Sequence, residues 1–235
     1  MRPAYNQCAD DFIKFWRQSI PKRPPFAHPS DFDALHVKNS RYIHSESIST
    51  FDDFVASARF GDFKDARLDL SLLPVPYQGD LREADIFVLL LNPGFGYTDY
   101  YSEWEVPEFR KRREQNLVQD FEGIEFPFLG LDPDFCWHGA FRYWEEKFRS
   151  VLRRIAEVKE RSYLDVLREM SKRLVALQLV PYHSPRFRSG PLINKLASTQ
   201  QARKFADECP FSQNAEWGKA GYHYPAQEGL ERSKE

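Results

Sequence analysis

Residues 84–96, with the sequence ADIFVLLLNPGFG, decide the fold of this chain. The six consecutive apolar residues 86–91 are its most hydrophobic run, and a run of this length before a turn signal predicts a strand buried on both faces. Pro93 has no backbone N–H and cannot continue a central strand, while Gly94 lets a ligand approach the main chain. We therefore expect Asn92 at the carboxyl end of a central parallel strand, the edge where open α/β sheets bind ligands.

The loop after this strand is rich in aromatic rings. A tight turn is the simpler interpretation of Asn-Pro-Gly, since these residues are common turn formers. Here, however, Phe95, Tyr97, Tyr100 and Tyr101 follow within a few positions. Aromatic rings beside a polar strand end suit a planar ligand such as a nucleobase.

A second apolar run, residues 174–180, ends in a similar way at the sequence PYHSP. Helices are predicted between the two runs, at residues 138–158 from the helical spacing of apolar side chains and at residues 163–173. Strand, helices and strand are the pattern of a parallel sheet. If the two strands are parallel neighbours, Asn92 and His183 lie at the same edge of that sheet.

The strand followed by Asn92-Pro93-Gly94 resembles the first active-site motif of the uracil-DNA glycosylase superfamily, most closely the branches whose motif begins Asn-Pro-Gly. The lead-in LPVPY at residues 73–77, with Gly79-Asp80, and VPYHS at residues 180–184 resemble a poorly characterised bacterial group with that fold. The likeness covers roughly residues 68–205 and is carried by these short motifs.

The resemblance implies an α/β fold, a three-layer α/β/α arrangement with a short central parallel sheet, and an enzyme that binds DNA without a cofactor or metal. The family usually has a further strand, whose end supplies a second catalytic motif. No apolar strand run follows residue 205 in this chain. Either His183-Ser184-Pro185 takes over part of that role, or the C-terminal part has diverged or been cut short.

Base removal needs a held water, a donor for the charge that leaves on the base, and a pocket for the base. The resemblance implies that Asn92 holds the water, and His183 is a candidate donor to the base or to a phosphate. Asp99 is a stronger candidate base if it turns inward. The simpler alternatives are a solvated carboxylate for Asp99 and a structural histidine for His183. Residues of both strand-end loops and of the lead-in are expected to bind substrate: Pro93, Gly94, Phe95, Gly96, Tyr97, Tyr77, Tyr182 and Ser184.

A basic run, Arg110-Lys111-Arg112-Arg113, lies in the polar stretch after the aromatic loop. A solvated helix face is the simpler interpretation of such a run. The functional alternative is that these side chains, together with Arg186, contact the DNA backbone, since phosphate contacts position a protein without reading sequence.

Composition limits the class of protein. The chain has 235 residues and a net charge of −2, so no basic excess announces nucleic-acid binding. Three cysteines without a Cys-x-x-Cys pair argue against a zinc site or an iron–sulfur cluster and fit a reducing cytoplasm. No run has the ~18 apolar residues of a membrane span. We expect a cytoplasmic monomer with an N-terminal arm at 1–67, an α/β core at 68–208 and a loose tail at 209–235.

Three hypotheses follow from the sequence. The first is a DNA glycosylase that excises a damaged, mispaired or modified base, in repair or in defence against phage. The second is a protein of the same fold that binds nucleic acid or nucleotides and has lost catalysis, as the missing final strand favours. The third is an unrelated α/β protein in which Asn-Pro-Gly is only a turn.

Overall fold

The structure is a computed structural model. It describes residues 2–208 except 18–20, 36–40, 45–46, 63 and 189. The expected tail at 209–235 lies outside the described residues.

Three strands form one small sheet within the described residues. They are β1 (Tyr77–Gln78), β2 (Ile86–Leu90) and β3 (Leu174–Gln178), in the order β1-β3-β2. β2 pairs with β3 in parallel, and β1 pairs with β3 antiparallel. The prediction that the two apolar runs form parallel neighbouring strands is therefore confirmed.

The centre of the sheet differs from the expectation. β3 is the middle strand and all five of its residues are buried, whereas β2 lies at an edge and is half-buried over four of its five residues. The sheet is also mixed rather than parallel, because the extended lead-in before β2 pairs antiparallel with β3. The longest apolar run therefore forms the edge strand. Helices cover its hydrophobic side chains, but its backbone pairs with a neighbouring strand on one side only.

Helices flank the sheet along the chain. Their bounds are α1 (Arg2–Arg17), α2 (Phe51–Ala56), α3 (Tyr97–Glu105), α4 (Pro107–Val118), α5 (Gly139–Val158), α6 (Tyr163–Arg173) and α7 (Ala197–Glu208). The helices predicted at 138–158 and 163–173 are confirmed as α5 and α6. The Ser162 hydroxyl accepts a hydrogen bond from the Asp165 N–H at 3.1 Å and caps α6.

Both faces of β3 are covered, because alternate residues of a strand point to opposite sides. Val175 and Leu177 pack with α1 and α7, where the rings of Phe12 and Phe205 stack at 5.0 Å. On the other face, Leu174 and Ala176 pack against a cluster from α5 and α6 that includes Trp144 and Met170. The molecule is therefore a mixed α/β structure with helices on both sides of its sheet.

The residues before α2 are tied to the strand ends. Asp31 is fully buried and accepts hydrogen bonds from the Tyr182 hydroxyl at 2.6 Å and from the Ser198 N–H at 3.1 Å. The Phe26 N–H donates to the Leu70 carbonyl at 2.6 Å. Asp31 thus joins the N-terminal arm to the loop after β3 and to the first turn of α7. Among the described helices, none is both long and apolar enough to cross a membrane.

Candidate functional site

The two parallel strands deliver their following loops to one place. Beyond β2 and β3, main-chain pairing continues, with the Val180 N–H donating to the Leu91 carbonyl at 2.9 Å. The Asn92 side-chain amide then donates to the Ser184 hydroxyl at 2.8 Å and to the Pro93 carbonyl at 2.9 Å. Asn92 and its neighbour in the second loop therefore meet at the same sheet edge, as the sequence predicts.

Asn92 acts here as a clamp between loops. It is 3% exposed, and both of its short hydrogen bonds are made by the Nδ2 group. The Ser184 hydroxyl accepts from Asn92 and donates to the Arg186 carbonyl at 2.9 Å. In this arrangement the Asn92 amide binds the second loop. The geometry therefore favours a structural role for this group over the role of water holder that the resemblance implies.

We expect Asn92→Ala to lower the free energy of unfolding by about 1–3 kcal/mol, because Ser184 and a backbone carbonyl lose a buried donor. Ser184→Ala is the matched partner. If the two groups act through their shared bond, urea denaturation of the double variant will show less than the sum of the single losses. Strictly additive losses would contradict the clamp.

His183 is used by the main chain. Its Nδ1 lies 2.8 Å from the Gly94 carbonyl oxygen and its Nε2 lies 3.1 Å from the Leu73 carbonyl oxygen. A neutral imidazole has one N–H and donates to only one of these carbonyls, whereas a doubly protonated ring donates to both. Both ring nitrogens thus face backbone acceptors from two separate loops, and donation by His183 to a leaving base or phosphate stays a prediction.

A small polar cavity lies beside these loops. Its volume is about 20 Å³, and its lining includes Pro93 and Gly94 of the Asn-Pro-Gly loop. The polar residues that line it come from five places in the chain: Gln78, Asp99, Arg113, Gln178 and His183. A cavity of roughly 10–15 Å³ by this kind of measure holds one water, so this space suits a single water molecule.

Two of the described residues in the lining each have a buried side-chain atom without a hydrogen bond. Within the part of the chain that the structure describes, Arg113 Nε and Gln178 Oε1 are buried without a hydrogen bond. One is a donor and the other an acceptor. Buried polar atoms of this kind are usually satisfied, and a water in the cavity would serve both.

Asp99 is turned inward. It is 6% exposed, lines the cavity, and accepts a hydrogen bond on Oδ2 from the Gly96 N–H at 2.8 Å. Its Oδ1 lies 3.6 Å from Nε2 of His138. The condition under which the sequence made Asp99 the stronger candidate base is therefore met, and a solvated loop carboxylate is excluded.

A second carboxylate, Glu103, lies one helical turn further along α3. Its side chain is fully buried, and Oε2 accepts from the Leu73 N–H at 2.9 Å. Arg110 and Arg113 approach it, each with a nitrogen 3.5 Å from a carboxylate oxygen. Burial nevertheless raises the pKa of the Glu103 carboxyl, because desolvation outweighs the attraction of these cations.

The basic run is only partly exposed, so it is not the solvated helix face of the simpler interpretation, and its contact with the DNA backbone stays a prediction. Arg113 is 9% exposed and faces Glu103, while Arg110 lies 4.9 Å over the Phe26 ring. Arg112 donates to Asp132 at 2.9 Å and to a backbone carbonyl. Of the four, only Lys111 is exposed. The three arginines of the run therefore interact with other parts of the protein, namely with carboxylates, a backbone carbonyl and an aromatic ring.

The expected aromatic contacts lie elsewhere. None of the predicted rings is among the residues that line the cavity in the described chain. Phe95 is buried against Phe54, with ring centroids 5.7 Å apart, while Tyr97 is 44% exposed on the outer face of α3.

Tyr77 and Tyr182 are corrected from substrate-binding to core residues. The Tyr77 hydroxyl donates to the Leu117 carbonyl at 2.7 Å, and the Tyr182 hydroxyl donates to Asp31. Both rings are 1% exposed or less, since Tyr77 packs with residues of α1 and α7 and Tyr182 packs with residues of the N-terminal arm and of the loops around it. The Gly96 N–H donates a hydrogen bond to Asp99. Arg186 lies after the second loop and is exposed.

The structure adds residues that the sequence interpretation missed. Glu103, His138, Gln78 and Gln178 all lie at or next to the cavity. One signal was present in the sequence, because Asp99 and Glu103 are spaced to share a helix face. The two glutamines carried no such signal, since they lie in strands that only tertiary pairing brings together.

No family model, no curated protein and no solved structure matches this chain.

Proposed function

We propose that this protein hydrolyses an N-glycosidic bond in DNA and releases a damaged, mispaired or modified base, on a uracil-DNA glycosylase-like fold and as a cytoplasmic monomer. The observation that carries the proposal is the inward-facing Asp99 on a water-sized polar cavity at the carboxyl edge of two parallel strands. Strand ends of this kind are where α/β folds place their reactive groups.

Two residues of the cavity lining, Asp99 and Arg113, have separate roles in the reaction. The C1′–N bond breaks with its electron pair passing to the base, and the oxygen of a water bonds to C1′. Asp99 accepts a proton from that water, and the proton is then released to solvent or to the departed base. The Arg113 guanidinium, whose Nε lies 3.5 Å from Glu103 Oε1 and makes no hydrogen bond in the described chain, stabilises the negative charge that develops on the base. Asp99 and Arg113 thereby replace Asn92 and His183 as the leading candidates.

The size of the cavity sets a requirement for this reaction. About 20 Å³ accommodates the water and not a base. The base therefore binds only when the loop of residues 93–96 moves away from the loop of residues 181–185. A base that flips into such a pocket loses its stacking energy, and this loss is smallest for damaged or mispaired bases.

The closed cavity favours a second candidate, a binding protein of the same fold without catalysis. In such a protein the hydrogen bond between Asn92 and Ser184 stays formed, and the two loops do not separate. In this case the protein contacts nucleic acid or nucleotides at its surface, and the polar cavity is only a hydrated part of the core.

The test uses labelled oligonucleotides that carry a panel of altered bases, followed by alkaline cleavage of abasic sites. Cleavage at one altered base, in single- or double-stranded substrate, would support the glycosylase and name its substrate. Binding without cleavage across the panel would support the second candidate. The absence of both binding and cleavage would reject both candidates.

A further inference from the structure

His138 has a fixed tautomer. It is the N-cap of α5, and its Nδ1 accepts a hydrogen bond from the Ala140 N–H at 3.1 Å. A neutral imidazole that accepts at Nδ1 carries its proton on Nε2. The side chain therefore presents an N–H donor on the side away from the helix.

That donor points at Asp99. His138 Nε2 lies 3.6 Å from Asp99 Oδ1, and it is a buried atom without a hydrogen bond in the described part of the chain. The ring is 1% exposed and is stacked on Phe109 with centroids 4.5 Å apart. The approach is a few tenths of an ångström beyond a good hydrogen bond, so a small movement of α3 towards α5 completes it.

The interaction is that of a neutral donor with a carboxylate. Burial lowers the pKa of the His138 imidazole to about 4, against the attraction of Asp99 and with the repulsion of Arg113 and His183. The ring is therefore uncharged at neutral pH. The uncharged ring can orient the Asp99 carboxylate, but it does not neutralise the charge of that group.

We propose that His138 is a positioning residue that orients the carboxylate of Asp99 towards the cavity. The Gly96 N–H already donates to Oδ2, and once the 3.6 Å gap between His138 Nε2 and Oδ1 closes, both oxygens are held and the group cannot rotate. A fixed carboxylate keeps its remaining lone pairs aimed at the water, which is what a general base requires. The inference rests on the proposed function of Asp99.

The chain contains a matched histidine. His28 is also buried and also an N-cap, with Nδ1 accepting from the Ser30 N–H at 3.2 Å. Its Nε2, however, lies 2.8 Å from the Phe15 carbonyl and has no part in the cavity. Asn is a good N-cap residue, so His138→Asn and His28→Asn both keep a cap and lose an Nε2 group.

The first experiment is proton NMR of the imidazole N–H groups in the full chain. We expect a downfield, slowly exchanging His138 Nε2–H resonance that is absent in His138→Asn, shifted upfield in Asp99→Asn, and unchanged in His28→Asn. A resonance that is unmoved in Asp99→Asn would overturn the positioning role, whether or not the protein is an enzyme.

The second experiment uses the altered base that the oligonucleotide panel identifies. His138→Asn should lower kcat by about 10- to 100-fold with little change in KM, since a hydrogen bond to a charged group is lost. His28→Asn should keep the wild-type kcat per folded molecule. Equal kcat values for the two variants would overturn the proposal. A panel without any cleavage counts against the glycosylase, and the NMR result still decides whether His138 orients Asp99.

Discussion

Asp99→Asn is expected to lower base release by about 10²- to 10⁴-fold, the usual contribution of a general base. Asn keeps the size of the side chain and an acceptor oxygen for the Gly96 N–H, so the start of α3 is preserved. The variant loses the negative charge that takes a proton from the water. Single-turnover assays of abasic-site formation measure this loss.

Asp134→Asn is the control for this variant, because Asp134 is an exposed carboxylate in the short 3₁₀ helix before α5. It should retain wild-type activity. Binding of the same oligonucleotide should survive in Asp99→Asn, since the substitution removes a proton acceptor rather than a contact surface. Activity of Asp99→Asn within a factor of three of wild type would mean that Asp99 is not the base.

The largest loss of stability is expected for Gly79→Ala. Gly79 has φ +103°, and a Cβ built there lies 2.2 Å from the Leu174 carbonyl oxygen at the start of β3. The left-handed backbone alone costs about 1–2 kcal/mol, and the overlap forces β1 away from β3. We expect a loss of about 3 kcal/mol or more in the free energy of unfolding, measured by denaturation in guanidinium chloride.

Gly123→Ala separates the two causes. Gly123 also has a positive φ, +71°, but an added Cβ meets no atom within 4 Å. It should therefore lose only the backbone contribution, about 1–2 kcal/mol. Equal losses for the two variants would show that the close approach of Gly79 to β3 has no energetic consequence.

The sequence predicted what local pattern determines. The runs 86–91 and 174–180 are apolar apart from Gln178, and each is followed by a proline within two residues, so their existence and their parallel pairing could be inferred. The helix predicted at residues 163–173 has the same bounds in the structure as α6. The position of Asn92 at the same edge as the second loop followed from the direction of the strands.

The order of the strands could not be inferred in the same way. β1 has two residues, and its antiparallel pairing with β3 depends on contacts about 100 positions apart in the chain, such as Tyr77 with Leu177. No local periodicity reports such a pairing. The most hydrophobic run was consequently placed at the centre, which β3 occupies.

The polar residues of the site were the hardest to assign. Arg113 belongs to a basic run that looks solvated, yet it is internal because Glu103 is buried on the neighbouring helix. Glu103 in turn is held by the Leu73 N–H, 30 positions away. A charged residue is buried only when its partner is, and the partner is a matter of tertiary structure.

Asp31 has a consequence for the cooperativity of the molecule. One buried carboxylate satisfies the hydroxyl of Tyr182, which precedes His183, and the amide of Ser198 in the first turn of α7. If the arm opened alone, both partners would lose a buried acceptor, so local unfolding there is coupled to the strand-end loop. The N-terminal segment that carries Asp31 therefore belongs to the same folding unit as the loop after β3, although it forms none of the cavity lining.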